Sequence, residues 1–252
     1  MNEGQAGTTT DFGYREVAED EKARLVGSVF SSVATRYDLM NDLMSGGLHR
    51  AWKAFAVGLA AAKTGERVLD LAGGTGDLTA ALAPRLGPSG LLVLSDINGA
   101  MLGVGRNRLI DRGLTDPIYP VQADAERLPF PDNSFDLIII GFGLRNVTHK
   151  DRALKAMHQA LKPGGRGIIL EFSKPRSAVF NRIYDAYSFA VVPKIGRFVA
   201  RDEGSYQYLV ESIRKHPDQE TLKTLMESAG FERVQYWNLT GGIVAVHRGY
   251  KL

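Results

Sequence analysis

The sequence predicts an α/β protein built on a mostly parallel, seven-stranded sheet that carries helices on both faces. Short apolar runs of β type alternate along the chain with helical stretches, which is the pattern of βαβ units. The chain then ends in two β-type runs joined by Thr240-Gly241-Gly242, which predicts an antiparallel hairpin at the edge of the sheet. A length of 252 residues suits one domain of this class with additional segments.

Five apolar runs have the length and composition of buried parallel strands. They are Arg67–Ala72, Leu91–Asp96, Ile118–Ala123, Phe135–Gly141 and Gly167–Phe172. Helical patterns separate or follow these runs at Asp77–Leu86, Ala100–Arg112, Lys150–Leu161 and Gln219–Ala229. The two strands of the hairpin are predicted at Glu232–Leu239 and Gly242–Arg248.

Three segments lie outside this alternation. Residues 1–24 are predicted to form a polar N-terminal tail, and residues 25–252 a single domain that begins with N-terminal helices over 25–63. Residues from about 174 to 216 interrupt the sheet before the C-terminal hairpin. Because ligands bind at the carboxyl ends of the strands in open α/β sheets, we interpret this insertion as a lid.

The composition excludes several chemistries. The chain has no cysteine, which rules out disulfides, zinc–thiolate sites, iron–sulfur clusters and a cysteine nucleophile. Its five histidines form no metal-binding pair, so no metal site is predicted. A net charge of +3 is too small for a surface devoted to nucleic acid. Because the sequence shows neither a run of the ~20 apolar residues that span a membrane nor a secretory signal, a cytoplasmic protein is expected.

A glycine-rich turn follows the first predicted strand of the sheet. The run Asp70-Leu71-Ala72-Gly73-Gly74-Thr75-Gly76-Asp77 places three glycines where the chain turns into a helix, so the backbone can approach a ligand closely. Asp96 ends the next strand, where an acid can bind ribose hydroxyls. A dinucleotide site shares these features, but Thr79 stands where its third glycine belongs.

Two further features favour S-adenosylmethionine as the cofactor. Asp70 lies at the end of the first strand, three residues before the first glycine, and a carboxylate there suits a cationic ligand that carries an ammonium group. Asp124 and Ala125 follow the third strand, where a side-chain acceptor and a backbone N–H can meet adenine. The candidates for cofactor binding are Asp70, Gly73, Gly74, Thr75, Gly76, Asp96, Asp124, Ala125 and Gly141.

These motifs occur together with Leu128–Asp136 before the fourth strand and Leu161–Gly165 before the fifth. In this order they resemble the motifs of class I, Rossmann-like methyltransferases. The resemblance becomes narrower at Tyr37–Trp52, Phe142–Thr148 and Tyr184–Ser188, which are similar to the ubiquinone/menaquinone biosynthesis C-methyltransferases. It covers nearly the whole chain, with no departure at a motif position.

The resemblance to this family implies a reaction and a substrate class. It implies transfer of a methyl group from S-adenosylmethionine to a ring carbon of a polyprenylated quinol. The implied substrates are demethylmenaquinol, which becomes menaquinol, and the 2-methoxy-6-polyprenyl-1,4-benzoquinol precursor of ubiquinone. A dihydroquinone ring is electron-rich, so this chemistry needs neither a metal nor a covalent intermediate, in keeping with a chain without cysteine.

Four polar residues are candidates for the catalytic work. Arg145 and Asn146 follow the fourth strand, where they could stabilise a developing phenolate and hold a ring hydroxyl. His49 and Asp38 lie in the N-terminal helical region and could accept a proton. Structural alternatives stay open, since Arg145 could form an ion pair, His49 could pack internally and Asp38 could cap a helix.

The expected partners are the quinol and the membrane surface that holds it. Residues 174–201 contain six basic residues and one acid, interleaved with aromatic residues, which suits an interfacial segment on anionic lipid. The protein is therefore expected on the inner face of the plasma membrane, alone or within a quinone-biosynthesis complex, and not on nucleic acid. A methyltransferase for another small molecule or for nucleic acid, a nicotinamide dehydrogenase and a non-catalytic binding module remain alternatives.

Overall fold

A computed structural model describes residues 8–34, 41–42, 45–116, 118–175 and 203–252 of the chain. Within these residues the strands are β1 (Thr9–Phe12), β2 (Arg15–Ala18), β3 (Arg67–Leu71), β4 (Leu91–Asp96), β5 (Ile118–Gln122), β6 (Phe135–Gly141), β7 (Leu161–Phe172), β8 (Glu232–Leu239) and β9 (Val244–Tyr250). The α-helices are α1 (Glu19–Val33), α2 (His49–Ala60), α3 (Asp77–Leu86), α4 (Gly99–Asp111), α5 (Lys150–Ala160), α6 (Glu203–Lys215) and α7 (Gln219–Ser228).

Seven of the described strands form one sheet in the order β5-β4-β3-β6-β7-β9-β8. Strands β3 to β7 are parallel, whereas β9 runs antiparallel to both β7 and β8. The predicted mixed sheet with a C-terminal antiparallel hairpin is therefore confirmed. From β3 the chain proceeds outward to β4 and β5 and then returns to the other side of β3 with β6. Ligands bind at such a reversal in open α/β sheets.

Helices cover both faces of the sheet, as predicted. Strand β6 shows why, because the successive side chains from Leu137 to Ile140 point to opposite faces of the sheet and all four are buried. Leu137 and Ile139 pack in an apolar cluster with residues of α2, α3 and α4, whereas Ile138 and Ile140 pack with residues of α5 and α7. A strand buried on both faces reads as a continuous apolar run rather than as an alternating one.

The predicted elements agree with the structure except at some ends. Helix α3 and strands β4, β6 and β8 have the predicted bounds, and most of the other predicted strands and helices differ by one or two residues. The exception is β7, which begins at Leu161 rather than at Gly167. Leu161 pairs with Phe135, and a register irregularity separates this pair from that of Leu137 with Arg166. The residues Lys162–Gly165, whose proline and glycines are typical of a turn, therefore lie in an irregular part of β7 and not in a loop before it.

The prediction of a polar tail over residues 1–24 is wrong from Thr9 onward. Strands β1 and β2 form an antiparallel hairpin, and α1 begins at Glu19. The hairpin is docked by its side chains, since Phe12 stacks on Tyr208 of α6 with ring centroids 4.3 Å apart. The backbone N–H of Tyr14 also donates to the Glu211 carboxylate at 2.9 Å. These partners lie about 200 residues away in the sequence. The local signal of the hairpin itself is Gly13, which has a φ of +62° in the two-residue turn between Phe12 and Arg15.

The predicted lid over about 174–216 is described only at its two ends. Residues 203–215 form α6, whose Tyr206, Leu209 and Ile213 are buried. Residues 176–202 lie outside the described residues. Among the helices that the structure describes, none is long and apolar enough to cross a membrane.

Candidate active site

A cavity opens at the carboxyl ends of β3, β4 and β6, at the reversal of strand order. It encloses about 890 Å³ of empty space, its open mouth included. Its polar wall includes Gly74, Asp96, Asn98, Asp124 and Asn146. Its apolar wall includes Leu71, Ile97, Met101, Phe142 and Val147, and α1 closes one side with Val26, Gly27 and Phe30.

The glycine-rich turn forms the floor of this cavity. Gly74 has a φ of +55°, which disfavours a side chain, and its N–H donates to Asp96 Oδ2 at 2.9 Å. Gly73 lies beneath it, where an added Cβ would come within 2.5 Å of Leu94. Thr75 is buried, and Gly76 precedes the first turn of α3. The turn thus exposes backbone to the cavity at Gly74.

Asp96 has the position and the unused hydrogen-bond acceptor capacity that a ribose-binding acid needs. Its side chain lines the cavity, where Oδ1 accepts the N–H of Asn98 at 2.8 Å and Oδ2 accepts that of Gly74 at 2.9 Å. Burial raises the pKa of Asp96, and these N–H donors oppose the shift. Each carboxylate oxygen accepts up to two hydrogen bonds, so both oxygens can still take a hydroxyl.

Asp124 and Ala125 lie together on the cavity wall beyond the end of β5. Asp124 Oδ1 accepts the N–H of Glu126 at 2.9 Å, which fixes the direction of its carboxylate. Ile97 and Met101 line the same cavity and supply flat apolar surface beside these polar atoms. This combination of acceptors and apolar side chains suits a heteroaromatic base.

Asp70 lies beneath the glycine turn and does not line the cavity. Its Oδ2 accepts both the N–H of Thr79 at 2.9 Å and the hydroxyl of Thr79 at 2.6 Å, within the first turn of α3. Its Oδ1 is buried without a hydrogen-bond partner among the described residues. Burial raises the pKa of Asp70 to about 7, although the bonds from Thr79 oppose the shift. The predicted role of Asp70 towards a ligand ammonium group stays a prediction, and this position does not favour a direct contact.

Gly141, at the end of β6, also lies outside the cavity lining. An added Cβ there would come within 2.6 Å of Leu78, so this glycine lets α3 approach the sheet. Its predicted role in cofactor binding stays a prediction that this geometry does not favour.

Arg145 is held in a buried ion pair rather than aimed into the cavity. Its guanidinium donates to Glu171 at 3.0 Å, and the two side chains are only 3% and 1% exposed. The guanidinium also donates to the carbonyl of Phe142, and the backbone N–H of Arg145 donates to the other oxygen of Glu171 at 3.1 Å. Arg145 therefore fixes the loop after β6 to β7. The sequence left open that Arg145 forms an ion pair, and the structure contains one, buried, with Glu171.

Asn146, the next residue, does reach the cavity. Its Oδ1 accepts the hydroxyl of Tyr208 at 3.0 Å. Burial raises the pKa of Tyr208 to about 12, so the hydroxyl keeps its proton and remains a donor. With Oδ1 held in this way, the amide nitrogen of Asn146 is left to meet a ligand.

His49 does not line the cavity. It is buried at the start of α2, where its Nε2 lies 2.9 Å from Asp42 Oδ1. Asp42 is also paired with Arg50 at 2.7 Å. Asp38, the other candidate proton acceptor, lies outside the described residues. Among those that are described, no group of acidic and histidine side chains is arranged to hold a metal ion.

The structure therefore brings together some of the predicted residues and separates others. Gly74, Asp96, Asp124, Ala125 and Asn146 share one cavity. Sequence reasoning missed Tyr208, Asn98 and the cavity-lining face of α1. The available signal for Asn98 was its position after Asp96 at a helix start, whereas Tyr208 and α1 reach the site only through tertiary contacts.

Comparison with known proteins places the chain in a family. Residues 15–251 match the ubiE/COQ5 methyltransferase family. A relative from Idiomarina loihiensis named ubiquinone/menaquinone biosynthesis C-methyltransferase is 61% identical over 96% of both chains. A relative of the same name from Pseudomonas paraeruginosa is 58% identical over the full length of both chains.

Solved structures of lower identity share the fold. An S-adenosylmethionine-dependent methyltransferase from Thermotoga maritima has a TM-score of 0.64 at 20% identity, covering 89% of this chain and 99% of its own. The [4+2]-cyclase SpnF has a TM-score of 0.60 at 15% identity, covering 90% and 94%. Because the family match spans nearly all of the chain and the relatives are aligned end to end, the protein belongs to the ubiE/COQ5 methyltransferase family.

Proposed function

We propose that the protein is an S-adenosylmethionine-dependent C-methyltransferase that methylates a ring carbon of a polyprenylated quinol in quinone biosynthesis. The substrate is demethylmenaquinol, the 2-methoxy-6-polyprenyl-1,4-benzoquinol, or both. The observation that carries the proposal is the cavity at the reversal of strand order, with Asp96 and the glycine turn, in a chain 61% identical to a relative named for this reaction.

The residues around the cavity fit the proposed cofactor. Both oxygens of Asp96 can accept a ribose hydroxyl, and the backbone of Gly74 leaves room for the ligand to approach. Asp124 and Ala125 can form hydrogen bonds with the edge of adenine, and Ile97 and Met101 can pack against its faces. Bound S-adenosylmethionine supplies a methyl group on a positively charged sulfur, which is open to attack by an electron-rich carbon.

The protein's share of the chemistry is mainly positioning and proton handling. A carbon–carbon bond forms as the sulfur–methyl bond breaks, and the ring loses one proton from a hydroxyl and one from the methylated carbon. One hydroxyl is then regained, so the product is again a quinol. We assign Asn146 to the ring hydroxyl, because its amide nitrogen is left to face the cavity by the bond from Tyr208.

Arg145 then acts through Asn146. With a side chain 3% exposed and paired to Glu171, its guanidinium holds the loop that carries Asn146 instead of touching the quinol. Asp38 and the pair of His49 with Asp42 remain proposed proton acceptors. Asp70 is proposed to act on the ammonium end of the cofactor through its charge rather than by direct contact.

The substrate also implies where the protein works. A polyprenyl quinol partitions into lipid, so we propose a cytoplasmic protein bound peripherally at the inner face of the plasma membrane, within or outside a quinone-biosynthesis complex. The proposal is supported by the charge of residues 174–201, six basic residues against Asp185. Sedimentation with anionic vesicles at low and high salt tests it: binding lost at high salt supports it, and no binding at low salt contradicts it.

The catalytic proposal is tested with labelled S-adenosylmethionine. The full-length protein should transfer label to demethylmenaquinol or to the benzoquinol in detergent. Quinones extracted from a strain lacking the gene should show the unmethylated species. Binding of S-adenosylmethionine without turnover of either quinol would contradict the proposal, as would accumulation of no unmethylated quinone.

A further inference from the structure

One asparagine joins the proposed cofactor site to the helix that covers it. Asn98 lines the cavity two residues after Asp96, and its backbone N–H donates to Asp96 Oδ1 at 2.8 Å. Its side-chain Nδ2 donates to the carbonyl of Gly27 at 2.8 Å and to the hydroxyl of Ser31 at 3.0 Å, both on α1. Asn98 thus contacts the floor and the cover of the cavity at the same time.

The orientation of the Asn98 amide is determined by its partners. Oδ1 accepts the backbone N–H groups of Ala100 at 2.9 Å and Met101 at 3.1 Å, which can only donate. The carbonyl of Gly27 can only accept, so Nδ2 must face α1. The side chain therefore performs two separable tasks: its oxygen caps α4, and its nitrogen ties down α1.

Only the second task needs an asparagine. Serine and aspartate cap a helix about as well, but neither offers an amide nitrogen to α1. Helix α1 also depends on outside support, because its N-cap residue, Ala18, makes no side-chain cap bond and its last turn holds no basic residue. Two further side-chain ties of α1 in the described part of the chain, Glu19 to His149 and Ser32 to Ser205, lie at its two ends.

We infer that Asn98 is a positioning residue that holds the middle of α1 over the bound cofactor and so sets how fast cofactor and product leave. Val26, Gly27 and Phe30 line the cavity from the stretch that Asn98 ties down. Loss of the tie frees this wall of the cavity while leaving the floor in place. The inference rests on the proposed function only in that S-adenosylmethionine occupies this cavity.

Two variants separate the tie from the cap. Asn98→Ser and Asn98→Asp both keep an acceptor for the α4 N–H groups and remove the amide nitrogen that donates to α1. The shorter serine hydroxyl cannot replace both of its bonds, and only the aspartate adds a charge. Both should unfold within a few degrees of the wild-type temperature, since two of the hydrogen bonds that hold α1 are lost while the cap of α4 is kept. Both should release S-adenosylhomocysteine about tenfold faster in stopped-flow measurements, in line with the loss of two hydrogen bonds. Asn107→Asp, an exposed asparagine of the same helix, is the matched control and should behave as wild type.

Limited trypsin digestion reports on α1 without any ligand. Arg24 lies in α1 with a side chain 74% exposed, and cleavage after it requires the helix to open. Both variants should be cleaved there severalfold faster than the wild type or Asn107→Asp. Unchanged cleavage and unchanged release would overturn the inference, and so would an effect of Asn98→Asp alone, which would indicate charge. Failure of the wild-type protein to bind S-adenosylmethionine would instead count against the proposed function, since the digestion result stands apart from it.

Discussion

Asp70 and Asp96 end neighbouring strands, yet their carboxylates have different surroundings. Asp96 reaches the cavity and keeps free acceptor capacity on both oxygens, whereas Asp70 is fully buried beneath the glycine turn. The difference arises because Asp70 is turned towards Thr79, which supplies two donors to one of its oxygens. Of the two acids, Asp96 is the one that a ligand in the cavity can touch.

The contact of Asp96 with ribose predicts the effect of its removal. Asp96→Ala should weaken binding of S-adenosylmethionine by about 30- to 1000-fold, since a charge-assisted pair of hydrogen bonds contributes roughly 2–4 kcal/mol. Titration calorimetry measures the affinity, and circular dichroism checks the fold. Asp111→Ala, which removes an exposed acid from the end of α4, should bind normally. Near-normal affinity of Asp96→Ala would show that the ribose lies elsewhere.

Asn146 should matter for turnover rather than for cofactor affinity. Loss of one preorganised donor near a developing negative charge typically lowers the rate by about 100- to 1000-fold. Asn146→Ala should therefore lose most of kcat while its Kd for S-adenosylmethionine changes only a few-fold. Steady-state kinetics and calorimetry separate the two effects, with Asn107→Ala as control. A variant with wild-type kcat would remove Asn146 from the reaction.

At the scale of elements, the buried pair of Arg145 and Glu171 joins the loop after β6 to β7. Removing one member leaves the other charge buried without its partner, which typically costs about 3–5 kcal/mol. Arg145→Met should therefore lower the free energy of unfolding by several kcal/mol, as measured with urea. The double variant Arg145→Met, Glu171→Gln should recover part of that loss, because neither buried charge remains and the glutamine oxygen can still accept the backbone N–H of Arg145.

The same double variant distinguishes a positioning role from a catalytic one. If Arg145 acts only by holding Asn146 in place, the double variant, in which the loop after β6 is stable again, should regain part of kcat. Complete inactivity of a double variant with wild-type stability would instead mean that the guanidinium itself takes part in the reaction.

At the scale of the whole molecule, buried titratable groups make stability depend on pH in opposite directions. Burial lowers the pKa of His247 to about 4 and that of His216 well below its usual value. In the unfolded chain both histidines bind a proton near pH 6.5. The stability that they contribute as neutral buried groups is therefore present above that pH and is lost as the pH falls towards 4. Asp70, with a pKa raised to about 7, contributes stability at low pH that is lost as the pH rises through 7.

Single variants should separate the two groups. His247→Gln keeps a donor for the carbonyl of Gln219 but does not titrate. Between pH 6.5 and 4 its free energy of unfolding should therefore fall by about 3 kcal/mol less than that of the wild type. Asp70→Asn should instead reduce the fall in the free energy of unfolding between pH 4 and 7, by roughly 1.4 kcal/mol per pH unit. Urea unfolding at pH 4, 5.5, 7 and 8 measures both. A His247→Gln protein with the wild-type pH profile would contradict this account.

The amino-acid sequence alone determined the sheet, most of its elements and the family. Apolar runs buried on both faces, helix starts and glycine turns are local patterns, and local patterns are set by the residues that carry them. The same holds for Asp96, Asp124 and Ala125, which end or follow strands beside the reversal of strand order, where ligands bind in open α/β sheets.

Only the tertiary structure decided which of the other candidates reach the cavity. Arg145 and Asn146 are adjacent in sequence, but Glu171 on the next strand draws the first into the core, and Tyr208 holds the second at the cavity. The N-terminal hairpin and α1 are likewise positioned by partners more than 60 residues away, Glu211 for Tyr14 and Asn98 for Gly27. A sequence shows which groups can pair, but the free energy of burying them depends on which distant partner the fold places beside them.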